Sequence, residues 1–163
     1  MLKFFLNSNT TSWLRDMENE FGESTNIIRS ELVRLEEAGM LSSELSGNKK
    51  IYRANTHHPL FSDIHSLLLK HTGIDQVISR IVNKLGGLIE AWLTGAFARG
   101  IDSPVIDILL VGNNIDREYL SGLIEKVENL IHRKISYVIL NPEEKMPYLT
   151  QCPEAFLLWE NVT

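Results

Sequence analysis

Apolar residues in the first quarter of the chain recur at helical spacing in two consecutive segments. Residues 11–21 predict a helix with one apolar side. Residues 24–39 predict a second helix, which Ser24 caps and Gly39 ends. The apolar sides of the two helices consist of Trp13, Leu14, Met17 and Phe21, and of Ile28, Leu32 and Leu35.

The segment that follows has the pattern of a β-hairpin. Residues 40–45 and 50–55 predict two short strands, and the connection SGNKK supplies a glycine turn with Lys49 and Lys50 at its exit. Helix, tight turn, helix and hairpin is the element order of a winged helix-turn-helix. A connecting helix with Pro59 at its start is expected to follow.

Downstream of residue 73, helical stretches alternate with short β-branched runs, which predicts a small mixed sheet and makes the whole chain α+β. The predicted helices cover 74–85 and 116–132, a short one begins at 141, and the predicted strands cover 88–95, 104–111 and 134–140. The stretch 155–161 fits either a closing strand or a helix. We therefore expect a winged helix-turn-helix domain over 1–56, a connecting helix over 57–72 and a second domain over 73–163.

The composition is that of a globular protein without a membrane segment. Hydrophobic residues make up 44% of the 163 positions, and no apolar run approaches the roughly 18 residues that cross a bilayer. The single cysteine, Cys152, excludes an intramolecular disulfide framework. Together with the lack of a secretory signal, it predicts a cytoplasmic location. The histidines that cluster before the second domain lack the pattern of a metal site; they are His57, His58, His65 and His71.

The net charge of −5 argues against a general polyanion-binding protein. That charge is unevenly distributed: residues 1–73 carry 8 Lys and Arg against 9 Asp and Glu, and residues 74–163 carry 8 against 12. The first half is therefore the better candidate for contact with nucleic acid.

The outward side of the second helix carries short polar side chains and arginines, which reach base edges and phosphates when a helix enters the major groove. Lys49 and Lys50 are placed to contact the neighbouring DNA backbone. The same residues could instead serve only to solvate an exposed helix, and Glu31, Glu36 and Glu37 oppose phosphate binding. The predicted DNA-binding residues are Ser24, Thr25, Asn26, Arg29, Ser30, Arg34, Lys49 and Lys50.

Several stretches resemble the winged helix-turn-helix module of small prokaryotic transcriptional regulators. They are LKFFLNSN, the two helices, LxxLEEAGM, GNKKIYRAN and HHPLF. In a recurring subgroup, a nucleotidyltransferase-like domain follows this module. The resemblance implies double-stranded DNA as a partner. Because a single small module makes few phosphate contacts, we expect a homodimer that binds two half-sites.

The second half resembles the nucleotidyltransferase superfamily over about residues 75–140, so the resemblance makes 73–163 a nucleotidyltransferase-like domain. Small members of the superfamily carry a Gly-Ser-x-Ala-Arg-Gly turn, then an Asp-x-Asp strand, then a third aspartate on a later strand. The turn is matched here by Gly95, Ala98, Arg99 and Gly100, with Ala96 in place of the serine.

The acids that this chemistry needs are mostly replaced. Mg²⁺ takes hard oxygen ligands, and residues i and i+2 of a strand point the same way, so an Asp-x-Asp pair aims two carboxylates at one place. Here Val105 stands beside Asp107, and Ser136 aligns with the third aspartate. We therefore expect no catalytic residue, no metal and no cofactor. Asp107 is then either a vestigial ligand or an acceptor for backbone, and Mg²⁺ would bind only if Asp102 or Glu90 turned into the cleft.

The glycine-bounded turn leaves two interpretations open. Its backbone N–H groups could hold a nucleotide or another anionic effector, with Gly95, Ala96, Arg99 and Gly100 as the binding candidates. Alternatively, the glycines permit close packing, and Arg99 pairs with an acid such as Asp102.

Three functions are compatible with these residues. The favoured one is a DNA-binding transcriptional regulator whose second domain serves dimerisation or effector sensing. The alternatives are an active metal-dependent nucleotidyltransferase and an antitoxin-like partner of a toxin protein.

Overall fold

The computed structural model describes residues 2–162. The first third of the chain forms α1 (Leu2–Phe5), β1 (Thr11–Trp13), α2 (Leu14–Phe21), α3 (Thr25–Glu37), β2 (Leu41–Ser46) and β3 (Lys49–Ala54). The three strands make an antiparallel sheet in the order β1-β3-β2. Residues from all six elements except β1 meet in a first core, which consists of Phe4, Phe5, Met17, Ile28, Leu32, Leu41, Tyr52 and Ala54.

The helix predicted over 11–21 is wrong in its first three residues. Thr11–Trp13 forms a strand that pairs with β3 and places Trp13 opposite Ile51. Ser12, the middle residue of this strand, is buried. Strand pairing gives this backbone hydrogen-bond partners, whereas the first turn of a helix leaves its N–H groups unsatisfied. Helix α2 therefore begins at Leu14.

The predicted second helix is confirmed as α3. Ser24 occupies the N-cap position, but its side chain makes no capping hydrogen bond. At the other end, Gly39 takes a positive φ of 72°. Its N–H donates to the Glu36 carbonyl, and the Met40 N–H donates to the Leu35 carbonyl, both at 2.9 Å. This pair of bonds satisfies the last carbonyls of the helix, as a C-terminal glycine permits.

The hairpin is tighter than predicted. Only Gly47 and Asn48 connect its strands, and the positive φ of Gly47, 60°, permits this short turn. Lys49 and Lys50 consequently lie in β3 rather than in the turn.

The rest of the chain forms α4 (Phe61–Thr72), α5 (Ile74–Arg80), β4 (Leu88–Thr94), α6 (Gly95–Ala98), β5 (Val105–Gly112), α7 (Arg117–Ile131), β6 (Lys134–Leu140), α8 (Lys145–Gln151) and β7 (Phe156–Glu160). The connecting helix was predicted to start at Pro59 and starts two residues later. A turn precedes it, in which the His58 ring accepts the Leu60 N–H at 3.2 Å. The helix predicted over 74–85 ends early, at Arg80, because Ile81 leaves helical geometry and a 3₁₀ turn follows.

The second sheet has the strand order β6-β5-β4-β7. Helix α7 connects the parallel strands β5 and β6, and the other pairs are antiparallel. Asp116 caps α7, its carboxylate accepting the Tyr119 N–H at 2.9 Å. One face of the sheet packs against α5 and α7 in a second core that includes Leu93, Ile106 and Ile108. The strand alternative for the stretch 155–161 is the correct one, since β7 closes this sheet.

The two cores meet near the start of the chain. Phe5 belongs to the first core, and the next residue, Leu6, belongs to the second. Asn7 is only 3% exposed, and its side-chain amide donates to the carbonyls of Ala98 at 3.0 Å and Glu154 at 2.9 Å. The domain boundaries at 56 and 73 stay a prediction.

Within residues 2–162, no helix combines the length and the apolar character needed to cross a membrane.

Candidate nucleic-acid interface and the Asp107 site

The residues predicted to contact DNA are exposed on the surface. Helix α3 is anchored by Ile28 and Leu32 on its buried side. The predicted candidates on this helix face solvent, together with Ile27, which is 55% exposed. With the two lysines of β3, the exposed candidates are Ser24, Thr25, Asn26, Arg29, Ser30, Arg34, Lys49 and Lys50. Their contact with DNA stays a prediction.

Two of the predicted cations are already paired with carboxylates. Arg34 lies 3.1 Å from Glu31, and Lys50 lies 2.6 Å from Glu36. The hydrogen bond from Lys50, and then one from Ser43, hold the pKa of Glu36 below its ordinary value. These pairs reduce the positive charge that Arg34 and Lys50 offer to a phosphate. The sequence predicted this opposition from the acidic residues of α3.

Arg15 is a fifth exposed cation on this surface, and sequence reasoning missed it. It lies in the first turn of α2, and neither it nor Arg29 pairs with a carboxylate within residues 2–162. Lys49 is held differently, with its ammonium 3.9 Å from the centre of the Trp13 ring. Correct placement of β1 would have shown that Arg15 lies in the first turn of a helix that begins directly after Trp13.

Asp107 lies on the face of the second sheet that points away from the second core, the same face as Val105, as predicted. Its neighbours Ile106 and Ile108 point into the second core, so Val105 and Asp107 share the other face. In the strand register, Asp107 stands between Thr94 on β4 and Ser136 on β6. Ser136 therefore lies beside Asp107 on the neighbouring strand, as the predicted alignment required.

The glycine-bounded turn packs directly against Asp107. It forms the short helix α6, and Gly95 enters it with a positive φ of 65°. A Cβ on Gly95 would lie 2.3 Å from Asp107 Oδ2. Gly100, at the other end, has a φ of 78°, and a Cβ there would lie 2.1 Å from the Cα of Lys3. Both glycines therefore serve close packing, which was one of the two interpretations of the turn.

Arg99 pairs with an acid, as the second interpretation of the turn has it, but the acid is Glu154 and not Asp102. Arg99 is exposed, and its guanidinium lies 3.6 Å from Glu154. Asp102 pairs with Arg133 at 2.8 Å instead. Tertiary packing brings the segment before β7 next to the turn, and a local pattern does not reveal such a partner. Asp102 is thus engaged away from Asp107.

Glu90 is also held away from Asp107. It lies four residues from Thr94 along β4, about 13 Å at the rise of an extended strand. Its carboxylate accepts hydrogen bonds from Lys145 at 2.8 and 3.1 Å and from the Trp92 indole at 2.7 Å. Burial alone would raise the pKa of Glu90, but these hydrogen bonds outweigh it and lower that pKa.

Helix α8 brings Tyr148 near the Asp107 site, which the sequence did not indicate. Burial raises the pKa of Tyr148, and the neighbouring Cys152, Asp107 and Glu154 raise it further. Cys152 is a free, partly exposed thiol. Tyr148 thus lies near Asp107, and Cys152 and Glu154 are further neighbours of this tyrosine.

No group of three histidine, cysteine, aspartate or glutamate side chains is placed to hold a metal ion in the part of the chain that the structure describes. Of the clustered histidines, His65 is packed: its Nδ1 lies 2.8 Å from the Phe5 carbonyl oxygen, and its ring stacks on Phe61.

No family model matches the chain, and no curated protein matches its sequence. Among solved structures, the chain is similar to a protein from Sulfolobus solfataricus described as a "putative nucleotidyltransferase". The two are 22% identical, and the match covers 61% of this chain and 88% of the other, with a TM-score of 0.38. Similarity at this level carries no argument about function, which must come from the residues themselves.

Proposed function

We propose that the chain is a DNA-binding transcriptional regulator. Residues 1–56 form its winged helix-turn-helix, with α3 as the recognition helix and the β2–β3 hairpin as the wing. The observation that carries the proposal is the exposed side of α3, where Asn26, Arg29 and Ser30 face solvent over a buried stripe. Short polar side chains and an arginine at this position suit base edges and phosphates.

The proposed mode of binding is that of a symmetric dimer. Two of the predicted cations are offset by carboxylates, and the whole chain carries a net charge of −5. One copy therefore makes few net phosphate contacts, and useful affinity requires two half-sites on one duplex. Residues 73–163, after the connecting helix, supply the dimer contacts or bind an effector.

In this proposal, residues 73–163 form a nucleotidyltransferase-like domain without the metal-binding carboxylates. Support comes from the neighbours of Asp107 on its face of the sheet, which are Thr94 and Ser136 across the strands and Val105 and Leu109 along β5. None of these carries a carboxylate, so a divalent ion at Asp107 would lack the second acidic ligand that Mg²⁺ sites use. The remaining candidates, Asp102 and Glu90, are paired with other side chains.

The test is selection of duplexes from a random-sequence pool by the full chain, followed by binding measurements at several salt concentrations. We expect enrichment of a palindromic site and an affinity that falls steeply as salt rises. A protein that retains no duplex at low salt would contradict the proposal. Magnesium-dependent transfer of a labelled nucleotide, abolished by Asp107→Asn, would favour the nucleotidyltransferase alternative instead.

A further inference from the structure

A groove of about 540 Å³ runs between α2, α3 and the β2–β3 hairpin. Its lining includes Arg15 from α2, Arg29 from α3 and Lys49 from β3. All three side chains belong to exposed residues. Three cations from three separate elements therefore converge on one concave surface.

These three are also the cations of the first domain that have no carboxylate partner. Residues 2–56 contain seven lysines and arginines. Four of them form ion pairs, which are Lys3–Glu20, Arg34–Glu31, Lys50–Glu36 and Arg53–Glu44. The three that remain within the described residues all line the groove. Their uncompensated charge makes it the most favourable place on this domain for an anion.

Trp13 holds the side chain of Lys49 in place at the groove. It lines the groove, and the ammonium of Lys49 lies over its ring, 3.9 Å from the centroid. A cation–π contact of this kind restricts the lysine without neutralising its charge. Lys49 is therefore held at the groove and can still donate to an incoming oxygen.

Glu18 is the exception in this positive groove. It lines the wall, and its Oε1 atom is buried without a hydrogen-bond partner among the described residues. A carboxylate beside three cations opposes the binding of any anion, because like charges repel most strongly where solvent is excluded.

We propose that this groove holds the phosphodiester backbone of duplex DNA, clamped by Arg15, Arg29 and Lys49, and that Glu18 limits the affinity. The inference rests on the proposed DNA-binding function and adds to it a phosphate site that lies beside the base-reading side of α3. Contacts to phosphate carry no base information, so the clamp acts on every sequence alike.

The experiment measures binding of the full chain to a pool of random 30-base-pair duplexes over a range of salt concentrations. Arg15→Ala should weaken binding about fivefold to tenfold on all sequences, and the slope of log affinity against log salt should become shallower by about 0.9. Glu18→Gln, which keeps the side-chain shape, should strengthen binding about threefold to fivefold. Arg80→Ala, at an exposed position at the end of α5, is the matched control and should change neither quantity.

The outcomes separate the clamp from DNA binding itself. If the unaltered protein binds no duplex, the proposed function fails and the clamp fails with it. If the unaltered protein binds, but Arg15→Ala leaves the salt slope unchanged or Glu18→Gln fails to strengthen binding, only the clamp is overturned. Thermal unfolding of each variant identifies a loss of binding that comes from misfolding, and Lys49→Ala then provides a second test of the slope.

Discussion

Gly95 and Asp107 are in such close contact that a single carbon atom added to the glycine would lie 2.3 Å from the aspartate Oδ2. The turn that resembles a phosphate-binding loop is therefore built around this carboxylate. Asp107 occupies space that the turn has left for it, and the positive φ of Gly95 keeps the chain tight at that point.

Gly95→Ala should destabilise the protein for two separate reasons. The methyl group would clash with Asp107, and alanine is strained at a φ of 65°. We expect a loss of about 2 kcal/mol in the free energy of unfolding, measured by chemical denaturation. Adding Asp107→Ala removes the contacts with Oδ2 and Cγ but leaves the one with the Cβ of residue 107 at 2.9 Å, so it should recover only part of this loss. A fully stable Gly95→Ala protein would contradict the described packing.

The ion pair between Glu90 and Lys145 should make stability depend on pH. Because the folded protein lowers the pKa of Glu90 from its ordinary 4.5, the contribution is present above that value and is lost as the pH falls through the lower, folded pKa. Glu90→Gln should cost roughly 1 kcal/mol at pH 7 and less in acid. Glu143→Gln, at an exposed position, is the control. Equal losses for Glu90→Gln at both pH values would argue against the pair.

Arg29→Ala should weaken DNA binding more than Arg34→Ala. Both arginines lie on the exposed side of α3, but Arg34 is paired with Glu31 at 3.1 Å. Because Arg34 is already engaged by Glu31, it contributes less to phosphate binding than Arg29, which has no carboxylate partner among the described residues. We expect a loss of about tenfold for Arg29→Ala on the selected duplex, measured by fluorescence anisotropy. The reverse order would place the DNA on a different side of α3.

Asn7→Ala should be far more harmful than Asn9→Ala. The Asn7 amide is buried and donates to the carbonyls of Ala98 and Glu154, which would both lose a partner. We expect a loss of about 2 kcal/mol on thermal or chemical unfolding. Asn9 is exposed, and only its backbone N–H takes part in a described hydrogen bond, so its replacement should be nearly neutral.

Mg²⁺ with a nucleoside triphosphate should leave the unfolding temperature unchanged. A ligand that binds only the folded state raises that temperature, and the neighbours of Asp107 offer no second carboxylate. The measurement is a thermal scan with and without both additives. A rise that Asp107→Asn removes would show a working cation site.

Elements with signals inside their own sequence were predicted well. Strand β6 is a β-branched run and was predicted with its observed bounds, and α3 has its end signal in Gly39. Strand β1 was missed because its formation depends on pairing with Ile51, far along the chain. No local periodicity carries that information, and tertiary pairing overrides helical spacing over three residues.

The same distinction applies to the candidate sites. The exposed side of α3 follows from helical geometry once Ile28 and Leu32 are buried, so its members could be named in advance. The partners of Arg99 and Glu90 could not, because Glu154 and Lys145 reach them only through the folding of the last segment. Arg15 was overlooked because only the packing of α2 against α3 and β3 brings it to the same groove as Arg29 and Lys49.

Phe5 and Leu6 are joined by one peptide bond and lie in different cores. No flexible linker therefore separates the two cores at this junction. A displacement of the Gly95–Gly100 turn would also move Asn7 and Lys3, which contact it, and through them it would shift the first core. A ligand that binds to one half of the chain should therefore exert a force on the other half.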